Sequence, residues 1–196
     1  MSTALRHLLA SSIVGMFATS AMASDGTIKF TGEITAASCS ATQGAGTSVT
    51  GGKGKQVIDV KLGKVSIDSL NGAPTGIVAG TAININLDCG NTATGLTTVK
   101  VQFDPSSGSG VDTKNNNLLK TTGTAKGVGI ALYDSSNNLI NLAGNGTFNA
   151  ALVKAGTDPD FKYTANLNMR AAYMANEEAI TPGTANGELP FTLTYE

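Results

Sequence analysis

Apolar and polar residues alternate with a period of two along most of this chain. The alternation recurs in segments whose apolar residues share one face: 28–34, 83–87, 99–103, 128–132, 161–173 and 189–195. In the first of these segments, Gly32 takes an apolar slot between Phe30 and Ile34. A period of two is that of a β-strand with one buried face. The pattern therefore predicts several half-buried strands arranged as a β-sandwich.

Turn-rich segments separate the predicted strands. Residues 43–55, 104–117 and 134–138 consist mainly of Gly, Ser, Thr, Asn and Asp. Gly, Asn and Asp accept turn dihedrals, and Ser side chains compete with the hydrogen bonds of a β-ladder. These segments are predicted to be loops. No long helical period follows residue 23, so we expect an all-β fold in one domain.

The first 23 residues are typical of a secretory signal peptide. Arg6 lies in a short polar start, residues 8–18 form an apolar run, and Ala21 and Ala23 supply the small residues of a cleavage site. The apolar run is too short to span the roughly 30 Å hydrocarbon core of a membrane. We therefore expect residues 1–23 to be removed, the mature chain to begin at Ser24, and no insertion of the mature chain into a membrane.

Composition narrows the chemistry that the mature chain can perform. The formal net charge is −1, without a basic run, which argues against a nucleic-acid partner. The only histidine, His7, belongs to the predicted signal peptide. A mature chain without histidine has no Ser-His-Asp mechanism and lacks the commonest metal ligand. We expect no enzyme activity, no cofactor and no metal.

Two pairs of acidic residues do not change this picture. Glu177 and Glu178 are adjacent, so in a strand they would point to opposite faces, unlike the paired carboxylates of a glycosidase. Asp158 and Asp160 flank a proline and are more typical of a solvated turn than of a calcium site.

Cysteine usage agrees with export. Cys39 and Cys89 are the two cysteines of the chain, and an oxidising compartment favours their pairing. A metal site built on two cysteines would have no histidine to complete it. The sequence therefore predicts a disulfide between Cys39 and Cys89.

Both ends of the mature chain are regular strands with one apolar face. The first strand begins close to Ser24, and the last runs to Glu196. Exposed strand edges invite pairing with other chains unless they are blunted. From periodicity alone, residues 28–34 are most simply the first strand of the chain's own sandwich. The unblunted ends leave a second interpretation open, in which they pair with other chains.

Several segments resemble the chaperone–usher pilins, the subunits of type 1 and P pili in Gram-negative bacteria. The similar segments are residues 24–39, QVIDVKLGKVSIDS at 56–69, ININLDC at 83–89, GIALYD at 129–134, and residues 170–175, 181–186 and 191–196. In that family a glycine is fourteenth from the C-terminus and a tyrosine is penultimate. Gly183 and Tyr195 take those positions in this chain.

The resemblance implies a specific fold and mechanism. The family fold is an immunoglobulin-like β-sandwich that lacks its last strand, and the gap is filled by a donor strand from a neighbouring subunit, an instance of β-strand addition. Residues 24–36 would be the donor extension and residues 37–196 the pilin domain. The donor residues would be Ile28, Phe30, Gly32 and Ile34. The acceptor groove and chaperone contacts would be Gly183, Leu189, Phe191, Leu193, Tyr195 and Glu196.

The same resemblance implies the partners and the location. A periplasmic chaperone would hold the groove first, with the terminal carboxylate of Glu196 against basic chaperone residues. An outer-membrane usher would then add the next copy, so that the fibre, a homopolymer, reaches the cell surface. We expect a major shaft subunit that serves cell adhesion. A minor or adaptor pilin is the first alternative, and a secreted carbohydrate-binding module is the second, although the chain has no tryptophan and only 5% aromatic residues.

Overall fold

The computed structural model describes residues 26–33, 39–52, 56–72, 80–144 and 146–196, and within residues 26–33 it describes the backbone and the side chain of Lys29. These residues form thirteen strands, one α-helix and two short 3₁₀ turns. The strands are β1 (Gly26–Glu33), β2 (Ser40–Gln43), β3 (Thr47–Thr50), β4 (Gln56–Gly63), β5 (Thr81–Asp88), β6 (Thr98–Phe103), β7 (Leu119–Lys120), β8 (Val128–Tyr133), β9 (Thr147–Ala151), β10 (Val153–Thr157), β11 (Asp160–Ala175), β12 (Gly187–Glu188) and β13 (Phe191–Tyr195). The helix is α1 (Ile67–Gly72), and the 3₁₀ turns are Pro105–Ser107 and Leu142–Gly144.

The strands form two sheets. The first sheet has the order β3-β4-β1-β13-β6-β9, with β12 also paired to β1. The second sheet has the order β2-β5-β11-β8-β7, with β10 also paired to β11. Most neighbours are antiparallel, but β1 runs parallel to β12 and β13. The long strand β11 connects the second sheet, since it pairs with β5, β8 and β10.

The inner faces of the two sheets share one hydrophobic core. Ile58, Val101 and Phe191 of the first sheet enclose a small cavity together with Ile83, Ile85, Leu167 and Met169 of the second sheet. Alternate residues of β5 and β6 are buried, as a strand with one face against the core requires. The all-β, sandwich-like prediction is confirmed.

Most of the predicted strands are confirmed. The segments 83–87, 99–103, 128–132 and 161–173 lie in β5, β6, β8 and β11. The segment 189–195 contains β13, and β12 precedes it. The predicted loop at 134–138 is a turn, closed by hydrogen bonds from Asp134 N–H to the Asn138 carbonyl and from Asn137 N–H to the Asp134 carbonyl.

Two local expectations are wrong, and some strands were not predicted. The predicted loop 43–55 contains β3, which pairs with β4 as an edge strand. The segment 56–69, for which the resemblance to the pilins implies one strand, is a strand only as far as Gly63, because Ser66 starts the helix α1 by accepting a hydrogen bond from Ser69 N–H with its Oγ. The pattern also missed β9 and β10, which form between residues 147 and 157.

The sheet position beside β13 is filled by the chain's own N-terminal strand. β1 lies between β4 and β13 and is paired to both. This agrees with the interpretation that periodicity alone favours, while a donor strand from a neighbouring copy stays a prediction. The predicted signal peptide (1–23) and Ile34 lie outside the described residues. In the part of the chain that the structure describes, no helix has the length and apolar character needed to span a membrane.

Candidate functional site

The candidate site is the slot of the first sheet in which β1 lies. On one side, residues 26–32 of β1 pair with β4, and on the other side residues 28–29 pair with β12 and residues 32–33 pair with β13. Among the described strands, β1 is the link that joins β3 and β4 to the rest of this sheet. Without β1, the edges of β4 and β13 would present unpaired N–H and C=O groups to each other across a gap one strand wide.

The floor of the slot is apolar. The backbone register places Phe30 opposite Ile58 and Gly32 opposite Phe191, and these two partner side chains are only 1% and 7% exposed. Directly paired residues of a sheet lie on the same face, so positions 28, 30 and 32 of β1 lie on the inward face. The sequence singled out those positions as one face of the donor segment.

The proposed acceptor residues of β13 and its approach belong to this floor. Leu189, Phe191 and Leu193 are buried in the core that both sheets share. Tyr195 is half-buried, and its hydroxyl is enclosed without a hydrogen-bond partner among the described residues. Loss of solvation on burial raises the pKa of Tyr195 to about 12. The phenol therefore stays neutral at physiological pH and acts as a core-edge aromatic.

Glu196 continues β13 along β6. Its N–H donates to the Thr98 carbonyl at 2.9 Å, and its carbonyl oxygen accepts from Thr97 N–H at 2.7 Å and from Thr98 N–H at 2.9 Å. The side chain is exposed. These bonds tie the end of β13 into the sheet, and the predicted contact of Glu196 with a chaperone stays a prediction.

Gly183 lies at the other end of the slot, in the wall of an apolar pocket of about 160 Å³. A Cβ added to Gly183 would lie 2.5 Å from the backbone nitrogen of Ala125 and would also collide with the Thr124 hydroxyl. Glycine is therefore required for the close approach of these two segments. Gly63, which pairs with Gly26 at the start of β1, also lines the pocket, so the pocket continues the slot beyond β1.

The sequence did not single out most of the walls of this pocket. Val65, Ile67 and Leu70, in and next to α1, line one side, and Ile180 and Ala185 line another. Tyr173 holds the second side in place, since its hydroxyl donates to the Ala185 carbonyl at 2.6 Å. Ser66 followed by apolar residues at 67 and 70 was the available indication of the helix, because a capping serine precedes a helix with one apolar face.

The disulfide fixes the point where the N-terminal segment joins the second sheet. Cys39 and Cys89 are bonded with an S–S distance of 2.04 Å, and both are buried. Cys39 immediately precedes β2, Cys89 immediately follows β5, and the two strands are paired. The predicted disulfide is confirmed. It leaves residues 34–38 as the covalent connection between β1 and the anchored part of the chain.

One residue of each acidic pair considered in the sequence analysis lies close to a lysine. Asp158 forms a salt bridge with Lys154 at 3.2 Å, and Glu178 lies 3.7 Å from Lys114. Within the described ranges, no group of three or more potential metal ligands comes together. The arrangement of the site therefore suits pairing of β-strands, through an apolar floor and two hydrogen-bonding edges.

Comparisons with known proteins point to one family. Residues 28–196 match the family described as "Fimbrial protein". "Long polar fimbria protein A" of Salmonella typhimurium is 34% identical over 194 residues, which cover 96% of this chain and 94% of that protein. "Probable major fimbrial subunit LpfA" of Escherichia coli O157:H7 is 32% identical over 174 residues, covering 88% and 84%. "Type-1 fimbrial protein subunit" of Serratia marcescens is 29% identical over 199 residues, covering 96% of each.

Proposed function

Since this chain belongs to the fimbrial protein family, it is a fimbrial subunit, and we propose that it polymerises by lending its N-terminal strand to the slot of a neighbouring copy. The family consists of structural subunits, so the prediction that the chain is not an enzyme is confirmed. A fimbrial subunit belongs to a fibre on the cell surface, and it associates with other subunits.

One observation carries the proposed mechanism. The first sheet is continuous because a single strand, connected to the rest of the chain through residues 34–38, occupies the gap between β4 and β13. A strand of the same sequence from another copy offers the same hydrogen bonds and the same apolar face to that gap. Exchange of strands between identical slots generates a head-to-tail fibre, because each copy has one strand to give and one slot to fill.

The remaining parts of the proposal follow from the family. The chain is exported through the periplasm, where a chaperone strand occupies the slot, and an usher in the outer membrane replaces that strand with the next subunit. The chain is a major shaft subunit that serves cell adhesion, and the name of the LpfA relative, a probable major fimbrial subunit, supports this subunit class. No observation favours the minor-pilin or carbohydrate-binding alternatives.

Two complementary variants test the exchange. The strandless variant lacks residues 24–35 and can only accept a strand. The slot-blocked variant keeps its N-terminus and carries a second copy of residues 24–35 after Glu196, so it can only donate one. Refolded together, the two should form a one-to-one complex and nothing larger, as light scattering after size-exclusion chromatography would measure, because each has a single usable partner site.

The slot-blocked variant alone is the matched control and should remain a monomer. A slot-blocked chain that fails to bind the strandless chain, although both are folded in the mixture, would rule out strand exchange. Complexes larger than the dimer would show that the copies associate through another surface.

A further inference from the structure

We propose that Lys29 sets the register of β1, because it is the direct cross-strand partner of two acidic residues, Asp59 of β4 and Glu188 of β12. The register pairs Lys29 directly with both of them. All three residues are on the outer face of the sheet, where Lys29 and Glu188 are exposed and Asp59 is partly exposed. This proposal concerns a single copy, and it stands whether or not strands are exchanged between copies.

The apolar face of β1 does not define the register by itself. A slip of one residue would turn positions 28, 30 and 32 away from the core, which forbids it. A slip of two residues keeps the inward face inward, so the alternation alone tolerates it. A second marker is required to distinguish registers that differ by two residues.

The charges on the outer face provide that marker. In the observed register Thr27 lies opposite Lys61, and Thr31 lies opposite Val57. A slip of two residues in one direction would move Lys29 to the place of Thr27, opposite Lys61 and beside Asn186. A slip in the other direction would move it to the place of Thr31, opposite Val57 and beside Pro190.

Either slip removes both acidic neighbours of Lys29. The slip that places Lys29 opposite Lys61 also creates a like-charge pair. Opposite charges directly across a sheet stabilise their pairing, whereas like charges destabilise it. Lys29 has two acidic neighbours only in the observed register. Asp59 and Glu188 were not singled out from the sequence, because they are distant along the chain and become neighbours only when β1 lies between them.

Engineered cysteine pairs distinguish the two registers. Thr31→Cys with Val57→Cys reports the observed register, since these residues are directly opposite. Glu33→Cys with Val57→Cys reports the slip that brings Lys29 to Lys61. A two-residue displacement moves a Cα by about 6.7 Å along the strand, which puts the wrong pair beyond the separation of about 7 Å that a disulfide tolerates.

The measurement is the rate of slipped crosslinking relative to in-register crosslinking in the monomer under mild oxidation. We expect Lys29→Glu to raise this ratio by about three- to tenfold. The observed register then loses its two attractions, and the slipped register gains an attraction to Lys61. Lys29→Gln should give a smaller rise. The triple change Lys29→Glu, Asp59→Lys, Glu188→Lys should return the ratio toward the original value, and molar salt should reduce the differences between variants.

An unchanged ratio in Lys29→Glu would overturn the proposal. An increase that Lys29→Gln matches in full, or that the triple variant does not reverse, would also overturn it, because the effect would then not come from the charges. The substitutions are on the exposed face, and circular dichroism before oxidation verifies that each variant is folded.

Discussion

Cells that produce the Phe30→Asp variant should export the subunit but carry no fibres built from it. Position 30 lies opposite Ile58 on the inward face of the slot, and Ile58 is almost fully buried. An aspartate at that position would bring an ionised carboxylate into an apolar floor without a partner, which costs several kcal/mol. The donor strand would therefore not compete for a neighbour's slot. Fibres released from the cell surface by heat and quantified by immunoblotting measure the effect.

Thr31→Asp is the matched control for that variant. Residue 31 follows directly in the same strand, but it is opposite Val57 on the outer face, where water solvates a carboxylate. Fibres should form normally with Thr31→Asp. Normal fibres from Phe30→Asp, at a periplasmic level equal to that of the control, would mean that the N-terminal strand does not fill a slot during assembly.

Removal of the disulfide should produce the second large effect, on the stability of the single subunit. The bond between Cys39 and Cys89 closes a loop with a sequence separation of 50 residues. Chain entropy assigns about 4 kcal/mol to a loop of this size, which corresponds to a fall in melting temperature of about 8–16 °C for a domain of 150–250 residues. The double variant Cys39→Ala, Cys89→Ala, followed by circular dichroism on heating, measures this fall.

Ser40→Ala is a suitable control for the disulfide variant, since Ser40 is next to Cys39 and its hydroxyl makes only a long hydrogen bond of 3.4 Å to the Asp88 carbonyl. Its melting temperature should stay close to that of the unmodified chain. If the double variant has the same melting temperature as the unmodified chain, the disulfide does not stabilise the subunit. Pairing of β2 with β5 would then be enough to hold these two strands together.

The strands that the sequence predicted correctly share a full apolar face. Ile83, Ile85 and Leu87 of β5 are buried, and the polar residues between them are not. The missed strands lack this contrast. In β3 the only large apolar residue is Val49, and in β10 it is Val153, whose side chain is 57% exposed. Those strands form because neighbouring strands offer them hydrogen bonds, which a local pattern does not reveal.

The candidate site was predictable in its parts and not in its arrangement. The apolar positions of β13 and of residues 28–34 are visible as alternation. The parallel direction of β1 beside β13 depends on pairing between segments about 160 positions apart, as the partners Gly32 and Phe191 illustrate. The pocket at Gly183 and the acidic neighbours of Lys29 have the same origin, because residues distant in sequence form both.

Moving the N-terminal strand to the other end of the chain tests the central claim, that the sandwich has a slot which a separate strand can complete. Three chains are compared: one without residues 24–35, and two that carry these residues after Glu196 on flexible linkers of about 4 and about 16 residues. With the short linker, the transplanted strand can enter the slot only antiparallel to β13. The long linker also permits the parallel direction, for which the linker must first run back along the whole length of the slot. That length is about 27 Å for the eight residues of β1, and one linker residue spans at most about 3.5 Å.

The measurement is the thermal unfolding of these three chains as monomers. Burial of three apolar side chains, as the proposal requires of Ile28, Phe30 and Ile34, would contribute about 5–9 kcal/mol, so at least one transplanted chain should melt about 10–30 °C above the strandless chain. The linker that gives the higher value also reports the direction that the slot prefers. Equal melting temperatures for all three chains would contradict the account, because the sandwich would then be complete without its N-terminal strand.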